Sequence, residues 1–219
     1  MCGRFAMPVP ISKIATAFEV NHDYCQARPG YNIAPGQNIA AIIRDTGRKL
    51  VDFKWGLVPS WAKDPAIGYK MINARGETVH QKPSFKAPFQ KHRCLIIAAG
   101  FFEWQKTGKE KKPFYISAKT DDLLCFAGLY DVWQAADGTR LDTCAIITTG
   151  AAPSLQPIHD RMPVIIPKDQ IPLWLDPAAR QAHLLSLLKP YPDNDLQFYQ
   201  VSSRVNSPKT DSPACIERV

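Results

Sequence analysis

The chain has 219 residues, of which 45% are hydrophobic and 21% charged, a balance that suits one globular domain able to bury a core without covalent staples. It holds no run of the roughly 18 apolar residues that a membrane helix needs, and MCGRFAMPVP has no leucine-rich centre of the kind a secretory signal carries; the expected compartment is the cytoplasm, or the nucleoid in a bacterium. The formal charge of +7 favours polyanionic partners without naming one.

In chain order, residues 11–20 place Ile11, Ile14, Ala15 and Phe18 at helical spacing. Residues 39–43 and 50–55 flank Asp45-Thr46-Gly47 and read as a hairpin, and 84–90 as a short helix. The apolar runs 94–98, 113–117, 124–130, 144–149 and 162–166 have strand length, with polar turns expected at 106–112 and 135–138. Residues 171–175 and 177–188 read as helices, the second opened by Pro177 and closed by Pro190. Residues 206–219 read as a ragged tail. The sum is an α+β protein, one domain over 1–219, built on a curved and mostly antiparallel sheet with peripheral helices.

The six cysteines form no CxxC pair, which gives a structural zinc site little support. Cys94, Cys125 and Cys144 sit in apolar runs and read as core residues. Cys2 differs, because Gly3 and Arg4 offer it no apolar shelter. A small residue after Met1 is the usual condition for removal of the initiator methionine, which would leave Cys2 with a free amine beside its thiol. Such a 1,2-aminothiol attacks an aldehyde through nitrogen to give an imine, and the sulfur then closes a thiazolidine. Ordinary pKa values of about 7.7–8.0 for the amine and about 8.5 for the thiol leave reactive fractions near neutrality. The plain alternative is an incidental cysteine.

Four further segments carry chemistry-bearing residues. Asn73-Ala74-Arg75-Gly76-Glu77 follows an apolar pair and suits an anion site, or else a surface loop braced by Arg75 and Glu77. Glu103 lies between Phe102 and Trp104, where desolvation would raise its pKa and make it an acid–base group; its alternative is a sheet-edge acid paired with a lysine of 106–112. His159 precedes Asp160 and Arg161 and suits proton transfer, unless the three only brace a loop; His22, His80, His92 and His183 read as surface residues. Trp55 suits the core, whereas Trp61, in the polar segment PSWAKDP, suits a stacking platform for unpaired bases. Arg4, Lys54, Lys63, Lys70, Arg75, Lys82, Lys86 and Arg161 are candidate phosphate contacts. Neither a metal site nor a cofactor site is expected.

The segments MCGRF at 1–5, YNIAPGQ at 31–37, KWGLVPSWA at 54–62, INARGET at 72–78, RCLIIAAGFFEW at 93–104 and HDRMPVI at 159–165 together resemble the SOS response-associated peptidase family, which includes abasic-site processing proteins. That pattern usually has Pro where Ala98 stands and often Tyr where Phe102 stands. The resemblance implies a distorted barrel-like sheet, and a covalent thiazolidine adduct between Cys2 and an abasic site in single-stranded DNA that shields the lesion. It casts Glu103 as the acid–base residue, His159 as the aid to ring opening and imine chemistry, and Asn73 as the neighbour of the cysteine. Arg75 and Arg4 correspond to phosphate-binding positions, Trp61 to a segment set against a neighbouring base, and Thr148 and Thr149 to a strand end lining the site; Arg161 joins the expected DNA contacts. The family name also implies removal of Met1 by the protein's own site. A monomer is expected, with no membrane partner, and the sequence names no replication partner. Two rivals remain at this stage: an N-terminal nucleophile hydrolase of the amidotransferase kind, and a noncatalytic module that binds single strands.

Overall fold

The computed structural model describes residues 2–108, 110–120 and 123–219. Its strands are β1 (Phe5–Met7), β2 (Asn21–Tyr24), β3 (Gly30–Ile33), β4 (Asn38–Arg44), β5 (Arg48–Trp55), β6 (Asn73–Arg75) and β7 (Arg93–Ala98). These are followed by β8 (Gly100–Thr107), β9 (Glu110–Ala118), β10 (Leu124–Gln134), β11 (Arg140–Gly150), β12 (Arg161–Pro163) and β13 (Leu196–Gln200). The α-helices are α1 (Ile11–Phe18), α2 (Pro83–Lys91), α3 (Ile171–Leu175) and α4 (Gln181–Ser186).

The larger sheet runs β12-β11-β10-β7-β4-β5-β2, with β6 beside β11. A parallel pairing of β11 with β5, Thr143 to Lys54 and Cys144 to Trp55, joins the two ends of the path β11-β10-β7-β4-β5 and closes it into a barrel-like ring. A strand flanked by neighbours on both edges and covered on both faces reads as a continuous apolar run rather than an alternating one. β7 is the clearest instance, with all six residues buried between β10 and β4. Cys94, Cys125 and Cys144 pack here at 0–1% exposure, with Trp55 among them. The antiparallel character expected from sequence holds for most pairs, while β5 and β11 also pair in parallel with each other, β5 with β2, and β11 with β6.

A second sheet, β13-β9-β8-β1-β3, lies against the first. Its central strand β8 begins at Gly100, where an added Cβ would lie 2.5 Å from Ile116 O and from the Tyr115 ring. Only glycine admits that close approach, and it is what lets β8 run between β1 and β9. Among the described residues no helix is long and apolar enough to cross a membrane.

Three expectations need correction. Residues 106–112 are mostly strand rather than turn: Gln105 pairs with Lys112 and Lys106 with Lys111, and Gly108, at φ +62°, turns the chain. The helix expected over 177–188 is only Gln181–Ser186; Asp176 Oδ1 accepts from Ala178 N at 3.1 Å, and Arg180 is still extended. An aspartate side chain that bonds the backbone two residues on stabilises a turn against helix. The tail is not ragged. Asp211 accepts from the Tyr31 and Asn32 amides, Asn32 Nδ2 donates to the carbonyls of Ser207 and Thr210, and Cys215 is fully buried. Proline content alone suggested disorder there, but the satisfied backbone carbonyls fix the path.

Candidate active site

β1 brings the amino terminus to β8. Phe5 faces Phe101 and Ala6 faces Gly100, and the Phe102 amide donates to Arg4 O at 3.0 Å. This register sets Cys2 close to Glu103. Contrary to the sequence expectation, Cys2 is sheltered: it is 0% exposed and belongs to the main core, packed by residues distant in sequence rather than by its neighbours. Burial, and then the charge of Glu103, push its thiol well above the ordinary range, so sulfur is held as the neutral thiol. Asn73 Nδ2 donates to Cys2 O at 2.8 Å, and the Oδ1 of the same amide is buried without a hydrogen-bond partner. Asn73 stands there because β6 runs parallel to β11, with Asn73 opposite Ile146.

Glu103 is 4% exposed, and burial pushes its carboxyl up to about 7. His159 Nε2 lies 3.8 Å from Glu103 Oε2. The imidazole Nδ1 is 3.0 Å from the Arg161 amide and 3.0 Å from Asp160 Oδ1. A backbone N–H can only donate, so in the neutral ring Nδ1 accepts and the proton sits on Nε2, on the side of Glu103; the contact with Asp160 is favourable once the ring is charged. Burial lowers the His159 pKa, which favours the neutral ring. Burial thus favours the uncharged form of both groups, which lie close enough to exchange a proton through a small movement or a bridging molecule.

The loop carrying His159 is tied down at three points. Ser154 Oγ donates to Asp193 at 2.7 Å, Gln105 Nε2 to Pro157 O at 3.1 Å, and the Ala151 amide to Asp160 O at 2.9 Å. Glu103, Trp104, Lys106, Lys111, His159 and Asn206 line a cleft of about 450 Å³. Another pocket, about 290 Å³ between Lys54, Pro65 and Tyr69, contains none of Cys2, Asn73, Glu103 and His159.

The remaining predicted residues divide. Arg75 is exposed, and its strand position opposite Thr148 puts it on the same ladder as Asn73. Trp61 is 60% exposed on a loop pinned by the bond from Ser60 N to Asp131 and by the bond from Trp133 Nε1 to Ala62 O. Arg161 spends its fork internally: Nη1 and Nη2 hold the Glu77 carboxylate, and Nη2 also donates to Thr148 O at 2.8 Å. Glu77 is therefore held below its usual range by Arg161, and the brace with Arg75 weighed from sequence is not the pairing seen.

Arg4, expected to contact phosphate, lies in the interior of the folded chain. It is buried, its Nη1 donates to Asn32 Oδ1 at 2.7 Å and to Val205 O at 2.8 Å, and its charge sits 6.0 Å over the Trp104 ring. Thr148 and Thr149, expected at a strand end lining the site, are likewise enclosed. Both are buried between β6 and β12, where Thr148 Oγ1 meets Arg161 and Thr149 Oγ1 donates to Leu188 O. His80 and His92, expected at the surface, are half-buried, and His92 stacks on Tyr130. Sequence reasoning missed Trp104 as a cleft wall, the tail residue Asn206, and Lys106 with Lys111. The last pair was legible once β8 and β9 were read through the basic segment. Among the described residues no group of three His, Cys, Asp or Glu side chains is placed to hold a metal.

The chain is thus a barrel-like mixed sheet that holds a cysteine near its amino terminus beside a buried carboxyl and an imidazole. Over residues 1–208 the chain matches the model of the SOS response associated peptidase family, SRAP, and it belongs to that family. It is 46% identical to the Abasic site processing protein YoqW of Bacillus subtilis over 99% of both chains. It is 35% identical to the Abasic site processing protein HMCES of Gallus gallus, over 86% of this chain and 66% of that one. A solved structure of a protein from Bacteroides thetaiotaomicron superposes with a TM-score of 0.93 at 28% identity over the whole of both chains.

Proposed function

We propose that the protein senses abasic sites in single-stranded DNA and bonds them covalently through the mature Cys2. The observation that carries this reading is the convergence on one point of Cys2, Asn73, Glu103 and His159, from four distant parts of the sequence. An abasic sugar is mostly a closed hemiacetal, and opening it requires an acid and a base, which Glu103 and His159 supply. The Cys2 amine, freed by loss of Met1, attacks C1 of the aldehyde; water leaves with a proton from the pair, and the imine results. Nitrogen attacks first because the buried thiol is kept protonated. The pair then takes the thiol proton, sulfur bonds to the imine carbon, and the proton returns to nitrogen. The ring has no C=N bond, so it resists hydrolysis and blocks the elimination that would break the strand.

Asn73 holds the backbone of Cys2, and its open Oδ1 is an acceptor for the amine. Orientation of this kind supplies much of the rate. Arg75 holds a flanking phosphate and Trp61 stacks on a neighbouring base; Arg161 acts chiefly by fixing Glu77 and the strand end below it. The same acid–base pair serves removal of Met1. Cys2→Ala tests the central assignment. Mature protein is incubated with abasic single-stranded DNA, and the peptide left on the DNA is sequenced. The expected result is an adduct on residue 2 that the variant lacks; an undiminished crosslink with the variant removes the assignment.

A further inference from the structure

The mechanism above leaves unused the most basic part of the cleft. On the β8–β9 hairpin, Lys106 faces Lys111 directly in register, and both line the cleft that holds Glu103 and His159. Like charges opposite one another on adjacent strands destabilise the pair, and both side chains are exposed. Their shared field reaches the catalytic pair, since the charge of Lys106 is one of the causes that lower the His159 pKa. Across the cleft, Trp104 Nε1 donates to Asn206 Oδ1 at 2.7 Å. An indole N–H is donor only, so this bond fixes which end of the Asn206 amide faces the ring and leaves the Nδ2 donors of Asn206 to the cleft. Two ammonium groups and one oriented amide thus border the same opening, with donors and no acceptor among their free polar atoms.

We propose that Lys106, Lys111 and Asn206 form an anion subsite for a backbone phosphate of the strand as it leaves the cleft, distinct from the phosphate assigned to Arg75. This rests on the abasic-DNA reading above and specifies the path of the strand: past Glu103 and His159, then between the hairpin and the tail. One phosphate shared by two lysines relieves their repulsion, and the indole bond sets the third donor before the strand arrives.

The test uses noncovalent binding of single-stranded DNA carrying a reduced, unreactive abasic analogue, measured against salt. Removing one phosphate contact lowers the slope of log K against log salt by about 0.7 for a single strand, so a fourfold rise in salt should weaken Lys106→Ala/Lys111→Ala about 2.6-fold less than the parent. Lys13→Ala/Lys119→Ala removes the same charge elsewhere and should keep the parental slope. Asn206→Asp retains the acceptor for Trp104 but turns a carboxylate oxygen toward the phosphate, and should bind more weakly than Asn206→Ala. A hairpin variant with the slope of the remote control overturns the subsite, as does equal binding by the two Asn206 variants. Crosslinking of the parent to aldehyde-bearing DNA is followed in parallel: its failure would count against the abasic-site reading, while intact crosslinking with an unchanged slope counts against the subsite alone.

Discussion

Replacing Glu103 with Gln should make the protein more stable above neutral pH while stopping its chemistry. In the folded chain burial raises the carboxyl from 4.5 to about 7, whereas in the unfolded chain it returns to the ordinary value. The folded state then binds more protons than the unfolded state between these values, so stability falls as pH rises through that window and stays lower beyond it. At about 1.36 kcal/mol per pH unit, the ionised group costs the fold about 3 kcal/mol. Glutamine has a similar shape and no charge, so Glu103→Gln should match the parent near pH 4 and exceed it by about 3 kcal/mol at pH 8.5. For a chain of this size that corresponds to about 6–12 °C in Tm. Thermal and urea denaturation at both pH values, with the rate of adduct formation measured alongside, provides the assay. A variant whose stability runs parallel to the parent across the whole range would mean that Glu103 titrates as an ordinary carboxylate, and the neutral acid required at pH 7 would be missing.

Asn73→Ala removes the bond to Cys2 O and should slow adduct formation about 10- to 100-fold with little change in noncovalent affinity; unchanged single-turnover kinetics would contradict its positioning role. Arg4→Ala strands the acceptors of Asn32 and Val205 in the interior and should cost about 2–4 kcal/mol of stability. If it instead weakened DNA binding without lowering Tm, Arg4 would act as a phosphate contact rather than as a brace of the interior. Arg75→Ala should weaken binding to all sequences alike and reduce the salt slope by about 0.7, and a sequence-selective loss would argue for base contact instead.

Much of the barrel was legible because buried strands announce themselves. The runs starting at Cys94, Leu124 and Cys144 are apolar without alternation, as strands covered on both faces must be. The short strands β1, β3 and β6 carry no such signal, and they are the ones that position Cys2 and Asn73. Their pairing depends on partners far along the chain, which no local pattern encodes. Cys2, Glu103 and His159 were singled out by their chemistry, yet their surroundings were read less well. Cys2 looked open because its two neighbours are Gly and Arg, and Arg4 looked like a surface cation because nothing nearby in sequence reveals Val205. Arg75 and Arg161 are both basic and both in motifs, and only the ladder beside β11 and the carboxylate of Glu77 distinguish a free guanidinium from an engaged one.

The bond from Arg4 to Val205 O spans 201 residues, and β1 cannot be enclosed until β8 and the final segment exist. At about 5–20 residues per second, synthesis of the chain takes on the order of 10–40 s, and β1 acquires its partner β8 only about halfway through it and the cover of the final segment only at the end. Removal of Met1 by the protein's own acid–base pair therefore waits until these distant segments have met. The order in which the chain is made thus delays release of the Cys2 amine until the site that uses it exists.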